Sequence, residues 1–224
     1  PEGALPCPEI DLFFDDNEQV REKRTDSNGD CRADQVVHYA AGLPQRALQD
    51  RDHDGRMDSW LSYGEDGALI REARDRVGDG QADTWTEISG PYPSERREDH
   101  NADGEADVVI EYVKGEPTRQ REDSNLDGQP DRFTRFEGGV ARSIEQDRNH
   151  DGNVDAQAEF DAQGKKSAER QDEDHDGAFE ITILYRAGVR ERVEEDTRGD
   201  GRPDVVVIYS ADTPSGSETE GPAI

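Results

Sequence analysis

The chain has little from which to build an apolar core. Only 30% of its 224 residues are hydrophobic and 6% are aromatic, with one methionine and two tryptophans. No run is long and apolar enough for a membrane-spanning helix, so no membrane insertion is expected. Positive charge is also scarce: 27 Lys and Arg stand against 55 Asp and Glu, a net charge of −28, which argues against nucleic acid as a partner. The five histidines, His38, His53, His100, His150 and His175, form no catalytic constellation. With a mean hydropathy of −1.12, composition alone would class the chain as disordered. No segment keeps a helical period.

What the chain does have is one phrase repeated eight times, Asp-x-Asn/Asp-x-Asp-Gly-x-x-Asp. Its first residues are Asp26, Asp50, Asp75, Asp99, Asp123, Asp147, Asp172 and Asp196, each 24 or 25 residues after the last. A fixed period of this length marks a repeat array, in which each unit is stabilised by its neighbours.

Numbered 1 to 9, the phrase sets oxygen ligands on alternate residues of a tight loop. Loop 1 offers Asp26, Asn28, Asp30 and Asp34, and loop 2 offers Asp50, Asp52, Asp54 and Asp58. Loop 3 offers Asp75, Asp79 and Asp83; loop 4 offers Asp99, Asn101, Asp103 and Asp107; loop 5 offers Asp123, Asn125, Asp127 and Asp131. Loop 6 offers Asp147, Asn149, Asp151 and Asp155; loop 7 offers Asp172, Asp174, Asp176 and Glu180; loop 8 offers Asp196, Asp200 and Asp204. A glycine at position 6 allows the sharp turn, and the carbonyl of position 7 can add a further oxygen. Several anionic oxygens in a flexible loop suit Ca²⁺, whereas Mg²⁺ keeps its own waters. About eight Ca²⁺ sites are expected, two of them weaker, because Val77 and Arg198 stand at position 3 of loops 3 and 8. Four histidines occupy positions 2 or 4, which are expected to point away from the metal.

The phrase resembles the calcium loops of thrombospondin type 3 repeats, dockerins and integrin-type propellers. The resemblance covers the loops alone, roughly a third of the chain, and implies calcium ligation without implying the fold of those families. Unlike an EF-hand, the closing acid falls at position 9 and not at 12, which suits a loop between strands.

Charge supports a cation in these loops. The loop acids number 26 of the 55, so the remaining 29 nearly cancel the 27 Lys and Arg. Almost all of the excess charge therefore sits in tight carboxylate clusters, which repel unless a cation lies among them. The acids repeat identically in every unit, whereas an active site is singular, so no catalytic residue and no enzyme activity are expected. Arg198-Gly199-Asp200 spells an integrin-recognition tripeptide, but Asp200 is already a candidate ligand and the match is read as coincidence.

Between loops, short β-rich runs alternate with glycine turns, as in residues 58–63, Gly64–Gly67 and 68–74; such pairs are hairpins, with turns of three or four residues. The fifth residue after each loop is Tyr39, Tyr63, Ile88, Tyr112, Phe136, Phe160, Tyr185 or Tyr209. These are expected to form a ladder on one face of the sheet, with Trp60, Trp85 and Phe133 on the other. Second strands are more polar, with Arg46, Arg71, Arg119, Arg142 and Arg192 pairing with nearby acids. The fold class is thus all-β: about eight 24-residue hairpin units in an elongated antiparallel meander, with calcium loops along one edge. A two-sheet β-solenoid, or a closed barrel or propeller, is the alternative.

The expected layout is a leader (1–9), a hairpin array (10–210) and a polar tail (211–224). Cys7 and Cys31 are candidates for a disulfide tying the leader to loop 1. The apolar strand Val205, Val206, Val207, Ile208 and Tyr209 lacks an evident return partner, and Phe13 and Phe14 begin the other end. These residues are the candidates for head-to-tail assembly, since an open edge is a template for pairing. The start at Pro1 is that expected of a processed protein. Together these features imply an extracellular, calcium-stabilised structural protein, a self-associating surface or matrix fibre subunit. The alternatives are an adhesin binding a glycan or protein on the ribbon face, and a calcium buffer.

Overall fold

The computed structural model describes residues 7–210 and the strand 213–219. It is all-β, with no helix among the described residues. The chain divides into two units between Gly115 and Glu116. The first holds β1 (Ile10–Phe14), β2 (Val20–Thr25), β3 (Gln35–Ala40), β4 (Leu43–Gln49), β5 (Ser59–Tyr63), β6 (Leu69–Arg74), β7 (Thr84–Ser89), β8 (Tyr92–Glu98) and β9 (Val108–Val113). The second holds β10 (Glu116–Glu122), β11 (Arg132–Glu137), β12 (Val140–Gln146), β13 (Ala156–Phe160), β14 (Lys166–Gln171), β15 (Ile181–Arg186), β16 (Val189–Glu195), β17 (Val205–Ser210) and β18 (Thr213–Thr219).

Within each unit every strand pairs antiparallel with its neighbours in sequence. Each unit is therefore an open meander, not a two-sheet solenoid or a closed barrel. Hairpin turns lie at one end of the strands and the nine-residue loops at the other. Within the units and among the described residues, four hairpins close with two-residue turns, Ala41-Gly42, Gly90-Pro91, Gly138-Gly139 and Ala187-Gly188, shorter than the sequence suggested. Three of these pairs have positive φ at both residues, the twist that fits a right-handed hairpin. The longer turns at Asp15, Gly64 and Asp161 add a residue at positive φ, Glu18, Gly67 or Gly164, before the second strand resumes.

The aromatic position has a consistent structural role. The register slips immediately before Phe14, Tyr39, Tyr63, Ile88, Phe136, Phe160, Tyr185 and Tyr209. A bulge there increases local twist and ends the regular ladder ahead of the turn. The aromatic rings do not form an uninterrupted stack. Second-strand residues stand opposite them, Pro44 across from Tyr39 and Arg190 across from Tyr185. Arg190 lies 5.6 Å from the Tyr209 ring and Lys166 lies 5.5 Å from the Tyr185 ring, so cations interleave with the aromatics. Other arginines pair with acids as expected: Arg71 with Glu87 at 2.6 Å, Arg142 with Glu137 at 3.0 Å and Arg192 with Glu194 at 2.7 Å.

The apolar core is thin. Among the described residues Val37, Ala47, Val108 and Ile183 are the buried hydrophobic residues, and Ser59, Thr84 and Thr134 are buried hydroxyl residues on the strands. The buried set is otherwise carboxylate: eleven loop aspartates, among them Asp155 and Asp172 at 2% exposure.

The C-terminal strand corrects the sequence reading. Val205–Ser210 does have a return partner, β18, which pairs with it from Val205↔Thr219 to Ser210↔Thr213. Val205, Val206, Val207, Ile208 and Tyr209 thus lie on an internal strand of the second unit, and part of the expected tail is sheet. Thr213–Thr219 has almost no apolar alternation, so its sequence does not announce a strand. At the other end Phe13 lies under the Arg24 guanidinium at 4.8 Å, while Phe14 is exposed.

Candidate metal centre

Each loop is shaped by carboxylates accepting backbone N–H groups. Position 1 is a double acceptor: in loop 1, Gly29 N–H donates to Asp26 Oδ1 at 2.7 Å and Cys31 N–H to Asp26 Oδ2 at 2.9 Å. The same pair of bonds recurs at Asp75, Asp99, Asp123, Asp147 and Asp172. Both donor residues need positive φ for this. Position 6 is glycine in every loop but the first, where Cys31 holds φ 72°. Position 4 also lies in the left-handed region, even where it is His53, Ala102, Leu126, His150 or His175, at φ 60–63°. Sequence reasoning missed this second turn; Gly29, Gly78 and Gly199 at the same position were its signal.

Position 9 closes the loop from the other side. Asp34, Asp83 and Asp155 accept the N–H groups of positions 2 and 3, and Asp58, Asp107, Asp131 and Asp204 that of position 2. The hydroxyls of Ser27, Ser124 and Thr197 add a donor to the same carboxylates. Donation from the Ser27 hydroxyl and backbone holds the Asp34 carboxyl at about 2, against the opposing effect of burial. Position 5 accepts the N–H of position 7, as Asp103 does from Glu105 at 2.8 Å. That bond, with one from the Asn101 amide, lowers the Asp103 carboxyl. The Asn125 amide and the Gln129 N–H lower Asp127, and the Asn153 N–H and the Asn149 amide lower Asp151.

Three loops gather their acids as the spacing predicts. Asp26, Asp30 and Asp34 in loop 1, Asp50, Asp52 and Asp58 in loop 2, and Asp172, Asp174, Asp176 and Glu180 in loop 7 each bring ligand oxygens within 4.8 Å of one another. These clusters could hold a metal ion. Loop 2 adds a specific sign: Asp50 is buried, and its Oδ1 has no hydrogen-bond partner. Among the described residues Asp54 falls outside the loop 2 cluster. In loops 4, 5 and 6 the position-3 amides of Asn101, Asn125 and Asn149 donate to Asp103, Asp127 and Asp151 at 2.8–3.0 Å. The candidate ligands of those loops are thus tied to one another and not drawn round a common centre. Loop 3, with Val77, keeps Asp75, Asp79 and Asp83 on backbone donors.

Consecutive loops are linked. The N–H of position 1 donates to the position 9 carbonyl of the preceding loop: Asp50 to Asp34, Asp75 to Asp58 and Asp99 to Asp83 in the first unit, at 2.7–2.8 Å. Asp147 to Asp131, Asp172 to Asp155 and Asp196 to Glu180 repeat this in the second unit, at 2.8–2.9 Å. Position-4 histidines reach back to the same residue. His53 Nδ1 lies 3.1 Å from Asp34, His150 Nδ1 3.5 Å from Asp131, and His175 Nδ1 3.5 Å from Asp155. Their position in the phrase gives these three no role, yet they join neighbouring loops. His53 is raised by its bond to Asp34. The N–H of Asp26 donates instead to the Glu9 carbonyl of the leader, at 2.9 Å. The expected Cys7–Cys31 disulfide forms there, with the Cα atoms 5.3 Å apart, and it holds the leader in place.

No family model matches the chain, and no curated protein matches it. Among solved structures, Staphylococcus aureus TarM, in a mutant complexed with Fondaparinux, alpha-GlcNAc-glycerol and UDP, aligns over 60% of this chain at 13% identity with a TM-score of 0.29. Accessory secretory protein 1, 2 and 3 from Streptococcus pneumoniae aligns over 66% at 13% identity with a TM-score of 0.21. The chain spans about a fifth of those structures, 21% and 23% of their lengths.

Proposed function

We propose that this is an extracellular, calcium-stabilised structural repeat protein in which the ion is part of the fold. The observation that carries the reading is the inversion of the interior, with eleven buried loop aspartates beside four buried apolar residues. Buried charge is sustained by pairing or by a metal. The donors are oxygen only, in flexible loops with a backbone carbonyl at position 7, which favours Ca²⁺ over Zn²⁺ and Mg²⁺. Loops 1, 2 and 7 are the strongest sites, since their acids already converge. The Cys7–Cys31 disulfide fits an oxidising compartment, where calcium is also abundant.

Metal affinity then becomes folding free energy. The role that follows is mechanical: a β array whose rigidity depends on external calcium. The test is a calcium titration of chelator-treated protein, followed by calorimetry and circular dichroism. Uptake of several ions with a gain in β signal and thermal midpoint is expected. A chelated protein with unchanged spectrum, unchanged midpoint and no calcium uptake would sink the proposal.

A further inference from the structure

Loop 8 departs from the others in a way that is more than a lost ligand. Where loop 7 has Asp174 at position 3, loop 8 has Arg198. Its side chain is 56% exposed, yet the guanidinium turns onto the loop acids. It bonds to Asp204 at position 9 and lies 3.7 Å from Asp200 at position 5. The Arg198 N–H meanwhile donates to Asp196 Oδ1 at 3.2 Å. One residue thus touches the three acids of its loop, two of them through a positive charge.

Loop 3 provides the contrast. It also lacks an oxygen at position 3, but Val77 is 70% exposed and brings no polar side-chain group to the loop acids. Loop 3 has lost a ligand; loop 8 has gained a cation. An arginine fork is well matched to carboxylates and keeps its charge at every relevant pH. The Asp204 carboxylate raises Arg198 further. Burial pushes Asp204 up, but the Thr197 hydroxyl and Arg198 outweigh it and lower the carboxyl.

We propose that Arg198 is a tethered counter-ion that takes the place of the metal in loop 8, so that the junction between β16 and β17 is held without calcium. The inference rests on the calcium reading of the other loops. It makes the last junction of the second unit the one that stays closed when calcium falls, beside loop 7, which opens.

Two variants test it: Arg198→Asn, which restores the oxygen ligand of the phrase, and Arg198→Met, which removes the charge without supplying a ligand. Bound calcium is counted by equilibrium dialysis and atomic emission, and amide exchange is followed with calcium and with chelator. R198N is expected to bind one more ion per chain than the unmodified protein, and R198M none more. In chelator, amides of residues 197–204 are expected to exchange in the unmodified protein as they do with calcium, and roughly tenfold faster in R198M. Calcium-dependent protection of loop 8 in the unmodified protein, or unchanged exchange in R198M, would overturn the assignment. So would an R198N protein that binds no additional ion while the unmodified protein binds several. If the unmodified protein binds none, the calcium reading fails, and the chelator arm alone decides on Arg198: faster exchange in R198M sustains it and equal exchange refutes it.

Discussion

At the hairpin-turn end of the strands, the side chains of Leu43, Tyr92 and Val140 lie against the turn glycines Gly67, Gly115 and Gly164. At the loop end, aspartates are buried against backbone N–H groups. Both ends reverse the same strands. One uses glycine, short apolar contacts and, in the longer turns, a single capping aspartate such as Asp15 or Asp161; the other uses several carboxylates in each loop. The difference shows where specificity resides. The turn end needs glycine, a neighbouring side chain and at most one acid acceptor, Asp15, Asp66 or Asp161. The loop end needs an acid at positions 1, 5 and 9, because each orients a different set of N–H groups. The periodic signal in the sequence comes from the end with the stricter demand.

Lowering the pH should have the largest effect on this comparison, because among the described residues the carboxyls held low lie in the loops, Glu169 on β14 apart. Asp34 and Asp155 are depressed below the ordinary carboxylate range, as are Asp75, Asp103, Asp127, Asp151, Asp196 and Asp204. A depressed carboxyl stabilises the fold above its unfolded value near ~3.9, and that stability is lost as pH falls through the folded value. For Asp34 the window runs down to about 2. The β signal that remains in chelated protein should therefore hold to about pH 4 and decline steadily below it. Loss of structure centred near pH 6 would contradict this account.

Smaller effects should distinguish single positions. Asp172→Ala removes a buried acceptor of the His175 and Gly177 N–H groups. It should cost about 2–3 kcal/mol in denaturant unfolding, since two donors lose their partner. Gly67→Ala tests the turn end: φ is +79°, and the new methyl would sit 3.2 Å from Leu43 Cδ2. A loss of about 1–2 kcal/mol is expected there. Leu126→Gly should act in the opposite direction. Leu126 holds φ 63° and is exposed, so glycine relieves strain while keeping the N–H bond to Asp123. A gain of up to ~1 kcal/mol, read as a higher thermal midpoint, is expected after the entropy of glycine is deducted. A loss of stability would show that the leucine side chain itself contributes to loop 5, beyond its backbone N–H.

The hairpins and loops were legible in the sequence because their signals are local. The runs expected over 58–63 and 68–74 appear in the structure as Ser59–Tyr63 and Leu69–Arg74, each one residue shorter at its start. What was not legible depends on contacts between repeats or on weak local patterns. The bond from His53 to Asp34 exists because the strands bring successive loops side by side, which a one-repeat reading cannot see. Thr213–Thr219 is a strand despite Pro214 and Gly216, residues that normally argue against one. Arg198 looks like a defect when the phrase is scored for ligands, since a cation counts there as a missing oxygen. The division at Gly115 and Glu116 coincides with no change in composition or spacing.

The bond to the preceding loop's carbonyl, made from position 1 of six loops, has an evolutionary consequence. The acceptor is a main-chain group, present whatever side chain follows. A duplicated 24-residue segment would therefore arrive with its docking partner already supplied at both joins, and a deleted one would leave its neighbours able to meet. Within each unit the length of the array can change by whole repeats with these backbone joins kept, so gain and loss of copies is an accessible path of variation.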